Sequence, residues 1–276
     1  MIRLAVRVHR ANAEVALAEL LELAPAGVEE VDLDDGVVEY AVYGQPGELP
    51  SLPSLEAAVG GALVAVSTTE VADDWAERWR AFHRPLHLGG RLTVRPPWEP
   101  ADSAEHDIVI DPGQAFGTGA HATTALCLEL LLELPLPAPG ARGALDLGCG
   151  SGVLAILAAR LGWEPVRAVD FDPLAVAATE ENAARNGVSL AEVRRLDLRR
   201  EPVPPATLVL ANLLAPLLLR WCEGAVSATT VIASGLLVEE ADRVAAAFAA
   251  HGLREVARRG QGEWAALRLD AVSWLG

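Results

Sequence analysis

The sequence predicts an α/β protein in two unequal parts, a small α+β domain followed by a larger open sheet wound with helices on both faces. Three observations carry this expectation. From about residue 121 onward, short apolar runs alternate with helical periodicity, the pattern of a parallel sheet with crossover helices. The first 71 residues instead show four strand-like runs with two helical stretches between them. The length of 276 residues sits where single cores stop growing, roughly 250–300 residues.

The elements follow in order. Residues 2–8 place Ile2, Leu4, Val6 and Val8 on one side of a strand, the alternation of a half-buried sheet. Asn12 is an N-cap for a helix carrying Val15, Leu17, Leu20, Leu21 and Leu23, which Pro25 and Gly27 stop. Residues 28–33 and 37–42 read as strands around Asp34-Asp35-Gly36, a hairpin signal. A short helix at 55–59 and a strand at 62–71 complete the order β-α-β-β-α-β, which is the ferredoxin-like, or split βαβ, pattern. Residues 1–71 are therefore expected to form a ferredoxin-like domain.

Residues 72–110 read as a linker helix and connector. A helix over 73–82 puts Trp75, Trp79 and Phe82 on one side, a stripe better suited to packing between domains than to a ligand. Short strands at 92–95 and 108–110 flank the turn-rich Pro96-Pro97-Trp98-Glu99-Pro100. The rest of the chain, 111–276, alternates helix and strand. Helices are expected at 121–133, 151–161, 174–186, 213–226 and 239–251, and strands at 144–147, 166–170, 208–211 and 231–234. A hairpin of 254–258 with 264–269 closes a Rossmann-like, doubly wound sheet.

Charge narrows the function. The 22 basic residues, all arginine, face 38 acidic ones, a net charge of −16, which argues against nucleic acid as a direct partner. Residues 1–70 hold 3 Arg against 12 Asp and Glu, a net of −9, so the acidity is concentrated there. No apolar run approaches the ~18 residues of a membrane span. The first residues lack the apolar core of a secretory signal, and a cytoplasmic location is expected. Three widely spaced cysteines, Cys127, Cys149 and Cys222, without a CxxC pair, favour reduced thiols and no metal site.

The strongest local signal is Asp146-Leu147-Gly148-Cys149-Gly150-Ser151-Gly152, which follows a strand and opens a helix. Glycines there allow a ligand to approach backbone where any Cβ would clash. A dinucleotide fold would seat pyrophosphate at this helix start, but Asp146 beside Gly148 would oppose a phosphate. A cationic, phosphate-free ligand with an amino acid end fits better, and S-adenosylmethionine is one. Asp170, 22 residues after Gly148, ends the next strand and is placed to accept both ribose hydroxyls. Asp172 precedes Pro173 and is assigned as the helix cap. Asp197 either meets an adenine amino group or is a surface acid. Asn212 ends the next strand, where it either caps a helix or orients an amine and donates to the cofactor. The glycine-rich run 111–124 is expected to fold over a ligand, and its His121 has a capping or packing role as open to it as a catalytic one.

Taken together these residues resemble a known family, the ribosomal protein L11 (L-eleven) methyltransferases of PrmA type. Residues 111–124 resemble that family's DPGxAFGTGxHxTT loop, 146–154 its DxGCGSGxL motif and 170–173 its DxDP. Glu181-Asn182-Ala183-Ala184-Arg185-Asn186-Gly187 resembles ENAxxNG. Residues 212–217 resemble NILAxPL with one residue fewer, and Trp98 and Glu263-Trp264 also fall in place. The resemblance runs from about 75 to 270. It implies a class I methyltransferase with S-adenosylmethionine as cofactor, contacted by Thr124, Gly148, Asp170 and Asn212; the residue reading adds Asp146 and Gly150. It also implies methylation of lysine side chains and the N-terminal amine of ribosomal protein L11, with a ferredoxin-like domain recognising that substrate. Asn212 is the expected orienting group for the amine. The protein is expected to act as a monomer, with no nucleic acid, membrane or metal involved.

Overall fold

The computed structural model describes residues 2–10, 13, 29–33, 36–44, 63–70, 84–111, 121–137 and 143–272. Apart from Ala13, the helices expected at 12–23, 55–59 and 73–82, and the glycine-rich run from 112 to 120, lie outside the described residues. The chain divides into two compact units, 1–82 and 83–276.

The first unit holds an antiparallel sheet of β1 (Ile2–His9), β2 (Glu29–Leu33), β3 (Val37–Gly44) and β4 (Leu63–Glu70), in the order β2-β3-β1-β4. Alternation sorts its faces as the sequence predicts. Leu4, Val6 and Val8 of β1 and Val38, Tyr40 and Val42 of β3 are buried. On the opposite face Glu39 is buried beneath two arginines, accepting from Arg3 at 2.7 Å and from Arg7 at 2.6 Å. The Arg3 guanidinium, first among these contacts, and that of Arg7 hold the Glu39 carboxyl below the usual range against the cost of burial.

The second unit begins with a small sheet of β5 (Leu86–Leu88), β6 (Leu92–Arg95) and β7 (His106–Val109). Residues 84–110 were expected as part of a connector. Instead Leu92, Val94, Ile108 and Ile110 are buried in the same core as the helices that follow. Strands of three or four residues, broken by turns, show too little periodicity to be read as a sheet.

The main sheet has seven strands in the order β10-β9-β8-β11-β12-β14-β13. They are β8 (Ala144–Leu147), β9 (Val166–Asp170), β10 (Glu192–Arg195), β11 (Leu208–Asn212), β12 (Thr230–Leu237), β13 (Leu253–Gln261) and β14 (Trp264–Ala271). The first five are parallel, and β14 pairs antiparallel with β12 and β13. The helices are α1 (Ala122–Leu132), α2 (Val153–Arg160), α3 (Pro173–Arg185), α4 (Ala215–Cys222) and α5 (Ala241–Ala249). The central strands feed both faces. Leu208 and Leu210 join the core under α1 and α2, while Val209 and Ala211 join the core under α4 and α5. Burial on both sides explains the near-continuous apolar runs. The chain winds outward from β8 to β9 and β10, then returns to β11 beside β8. The gap between β8 and β11 is therefore the topological switch point, outside whose carboxyl ends a ligand binds.

Candidate functional site

The turn joining β8 to α2 depends on glycine. Gly148, Gly150 and Gly152 have φ of 78, 53 and 81°, a region other residues enter only with strain. A Cβ on Gly148 would lie 2.4 Å from the Leu213 side chain, and one on Gly152 would lie 3.1 Å from the Thr179 Cα. Two strand-end bonds close the turn, since the N–H groups of Gly148 and Cys149 both donate to the Val169 carbonyl, at 2.8 and 3.1 Å.

Asp170 ends β9 and braces this turn from the side. Its Oδ2 accepts from the Gly150 N–H and its Oδ1 from the Asp172 N–H, each at 3.0 Å. Burial raises its pKa, against those two bonds. Asp172 caps α3, accepting from the Leu174 N–H at 2.9 Å ahead of Pro173, the role the sequence assigns to it. Asn212 ends β11, and its Nδ2 donates to Oγ1 of Thr124 at 3.2 Å. Thr124 itself is buried in the first turn of α1. Asp197 lies beyond β10 and accepts from the N–H and Nε of Arg199, at 3.0 and 3.1 Å. These bonds, the backbone one first, hold its carboxyl below the usual range. The Arg199 guanidinium sits 5.8 Å from the centre of the Phe171 ring.

Thr124, Gly148, Gly150, Asp170, Asp197 and Asn212 line one cleft of about 540 Å³, with Phe171, Leu198, Leu213 and Leu217 as apolar wall. Asp146 is the one expected cofactor residue that the cleft does not include. It is fully buried behind the turn, where its Oδ2 accepts from the Ala155 N–H at 3.0 Å and its Oδ1 has no partner. Burial pushes its carboxyl up to about 7. Strand β8 is buried on both faces, so alternation gave no sign of which way Asp146 points.

His121 takes the capping role. Its Nδ1 accepts from the Thr123 N–H at 3.3 Å as N-cap of α1, and its ring meets Trp264 edge-on at 5.1 Å. The three cysteines are free thiols. Burial pushes Cys127 and Cys149 far up, and Cys222 up to about 11. Among the described residues no three His, Cys, Asp or Glu side chains gather where they could hold a metal ion. Among them, too, no helix is long and apolar enough to cross a membrane.

Sequence reasoning missed Gly235. It sits within β12 at a φ of 79°, and a Cβ there would lie 2.5 Å from the Leu213 carbonyl oxygen. Leu213 N–H donates to Ser234 O at 3.0 Å, so this glycine lets the segment carrying Asn212 press onto β12. A lone glycine inside an apolar strand was the available signal, since such positions mark close approach of another backbone.

The family described as "Ribosomal protein L11 methyltransferase (PrmA)" matches residues 4–271. The ribosomal protein L11 methyltransferase of Pelotomaculum thermopropionicum is 43% identical over 215 residues, covering 75% of this chain and 69% of that protein. That of Heliobacterium modesticaldum is 41% identical over 202 residues, 71% of this chain and 63% of the other. The aligned region thus spans about two thirds of the length of these relatives. Among solved structures, the ribosomal protein L11 methylase of Lactobacillus delbrueckii subsp. bulgaricus superposes with a TM-score of 0.58 at 28% identity, covering 68% of this chain and 99% of that one.

Proposed function

The chain belongs to the ribosomal protein L11 methyltransferase (PrmA) family, and from that premise we propose that it transfers methyl groups from S-adenosylmethionine to lysine and N-terminal amines of ribosomal protein L11. One observation carries the reading at the site. The glycine turn, the Asp170 carboxylate and the Asn212–Thr124 pair converge on one cleft at the switch point of the sheet. Its volume of about 540 Å³ lies within the ~300–1,000 Å³ of small-molecule sites. The residues present fit the cofactor. Each Asp170 oxygen holds one backbone N–H and has a further lone pair for a ribose hydroxyl. The turn offers backbone without Cβ atoms to the amino acid end.

S-adenosylmethionine, when bound, supplies an electrophilic methyl group for in-line displacement by nitrogen. The chain's own residues position and desolvate the partners. Asn212 has a carboxamide oxygen to accept from the amine while its Nδ2 is held by Thr124. Leu213 and Leu217 exclude water from the nitrogen. A lysine amine, with an ordinary pKa near ~10.4, must be neutral to attack, and apolar burial favours that form. No dedicated base is needed for this step. The acidic first unit recognises the basic substrate, supported by the net −9 of residues 1–70. A cytoplasmic setting, where ribosomal proteins are made, goes with the same reading. Incubation with labelled S-adenosylmethionine and undermethylated L11, read by intact mass, tests it. Mass gains in steps of one methyl group are expected, and an unchanged L11 mass overturns the assignment.

A further inference from the structure

The motif at 181–187 has no part in the function described so far, yet its helix reaches the cofactor turn. Thr179, Asn182 and Asn186 lie three and four residues apart on and just after α3, a spacing that puts them on one face. All three are buried, at 0, 1 and 9% exposure. Thr179 Oγ1 donates to the Gly150 carbonyl at 3.0 Å. Asn182 Nδ2 donates to the Ser151 carbonyl at 3.0 Å, and its Oδ1 accepts the Asp111 N–H at 3.0 Å. Asn186 serves a different partner. Its Oδ1 accepts from the Val109 N–H at 2.8 Å, and its Nδ2 donates to the carbonyls of Val109 and Asn182 at 2.7 and 2.8 Å.

In a trans peptide the C=O and the following N–H point in opposite directions. Fixing the Gly150 and Ser151 carbonyls toward α3 therefore aims the Ser151 and Gly152 N–H groups away from it, that of Gly152 onto the Cys149 carbonyl at 2.8 Å. The preceding N–H, that of Gly150, is held by Asp170. Of the three peptide planes of this turn, α3 side chains hold two, the second together with the Gly152–Cys149 backbone bond, and Asp170 of β9 holds the third. The same planar carboxamide of Asn182 also ties the turn to Asp111, two residues past the end of β7.

Resting on the reading of this turn as the S-adenosylmethionine site, we propose that Thr179 and Asn182 are positioning residues for the cofactor, orienting the 150–152 peptide planes, whereas Asn186 only joins α3 to β7. Glycine gives the turn its shape but leaves it entropically loose, and these two hydrogen bonds supply the rigidity that low-cost binding requires.

The test is calorimetric titration of the full chain with S-adenosylmethionine, paired with thermal unfolding. Thr179→Val keeps the shape and removes the hydroxyl; Thr179→Ser keeps the hydroxyl. Kd is expected to rise about tenfold in Thr179→Val and Asn182→Ala, the loss of roughly one hydrogen bond. Thr179→Ser restores wild-type affinity. Asn186→Ala lowers the melting temperature as Asn182→Ala does, but leaves Kd within about twofold of wild type. If Thr179→Val and Asn182→Ala bind the cofactor as tightly as wild type and lose only thermal stability, the positioning role is overturned and the functional reading stands. A wild-type chain that binds no S-adenosylmethionine overturns both.

Discussion

Asp170 and Asp146 are carboxylates on neighbouring strands, and their surroundings give them opposite tasks. Asp170 faces the cleft with one backbone N–H on each oxygen. Asp170→Ala removes a charged acceptor, worth roughly 1.5–3 kcal/mol, so affinity for S-adenosylmethionine should fall by about one to two orders of magnitude. Calorimetry giving an unchanged Kd would reject the ribose assignment. Asp146 is sealed behind the turn with one oxygen unpartnered. Its carboxyl titrates near 7 in the fold but near ~3.9 in the unfolded chain. The native state therefore binds the extra proton between these values, and the group's favourable contribution is present below the unfolded value and lost as pH rises through 7. Asp146→Asn keeps an acceptor for the Ala155 N–H and has no charge to lose. Urea unfolding at pH 5.5 and 8.5 should show the variant gaining stability over wild type at the higher pH, by up to a few kcal/mol. A stability difference independent of pH would show that the wild-type carboxylate is not desolvated. The place of Asp170 at a strand end and the cap at Asp172 were legible because they follow from local spacing and from the proline after Asp172. Asp146 was not, because a strand buried on both faces carries no inward or outward signal.

Among the elements, β12 and α3 show what local patterning misses. β12 reads as a strand at 231–234 from its apolar run and extends to Leu237 through Gly235. The extension exists because Gly235 accepts a left-handed φ of 79° and brings the Leu213 carbonyl close. Gly235→Ala should strain both the backbone and this contact, costing more than ~1 kcal/mol of stability. It should also displace the segment that begins at Asn212, so methylation falls further than folding does. Thermal unfolding and the rate of L11 methylation, compared at a temperature where the variant is folded, check this. A variant with normal melting and normal rate would deny the glycine its role. α3 was legible from its Asp172-Pro173 start, but not its inward Asn182, whose partners lie 31 and 71 residues away in sequence. The body of β10 was not legible, only a strand end near Leu196-Asp197-Leu198, because Glu192-Val193-Arg194-Arg195 has no apolar run. An edge strand with charged side chains has no need of one. α1 shows the opposite case, since nine of its residues are buried and its apolar character alone marked it out.

At the scale of the whole molecule, the alternation of strand and helix was enough to read the doubly wound sheet, because each parallel pair needs a crossover. The order of strands was not legible, since register and return direction depend on contacts distant in sequence. The small sheet of β5 to β7 likewise lies within the second unit although its strands looked like parts of a connector. That assignment bears on the proposed division of labour between the units. All described residues lining the cleft lie in 83–276, and the acidity is concentrated in residues 1–70. A fragment of residues 83–276 carries its own core and cleft, so it should bind S-adenosylmethionine with nearly the affinity of the full chain. Without the acidic unit it should lose methylation of L11. Electrostatic capture acts mainly on association and is screened over about 10 Å at 0.1 M salt. In the full chain, KM for L11 should therefore rise with added salt while kcat and cofactor Kd hold nearly constant. If the fragment methylated L11 at the full rate, or if KM ignored salt, substrate recognition would belong to the rim of the cleft and not to the first unit.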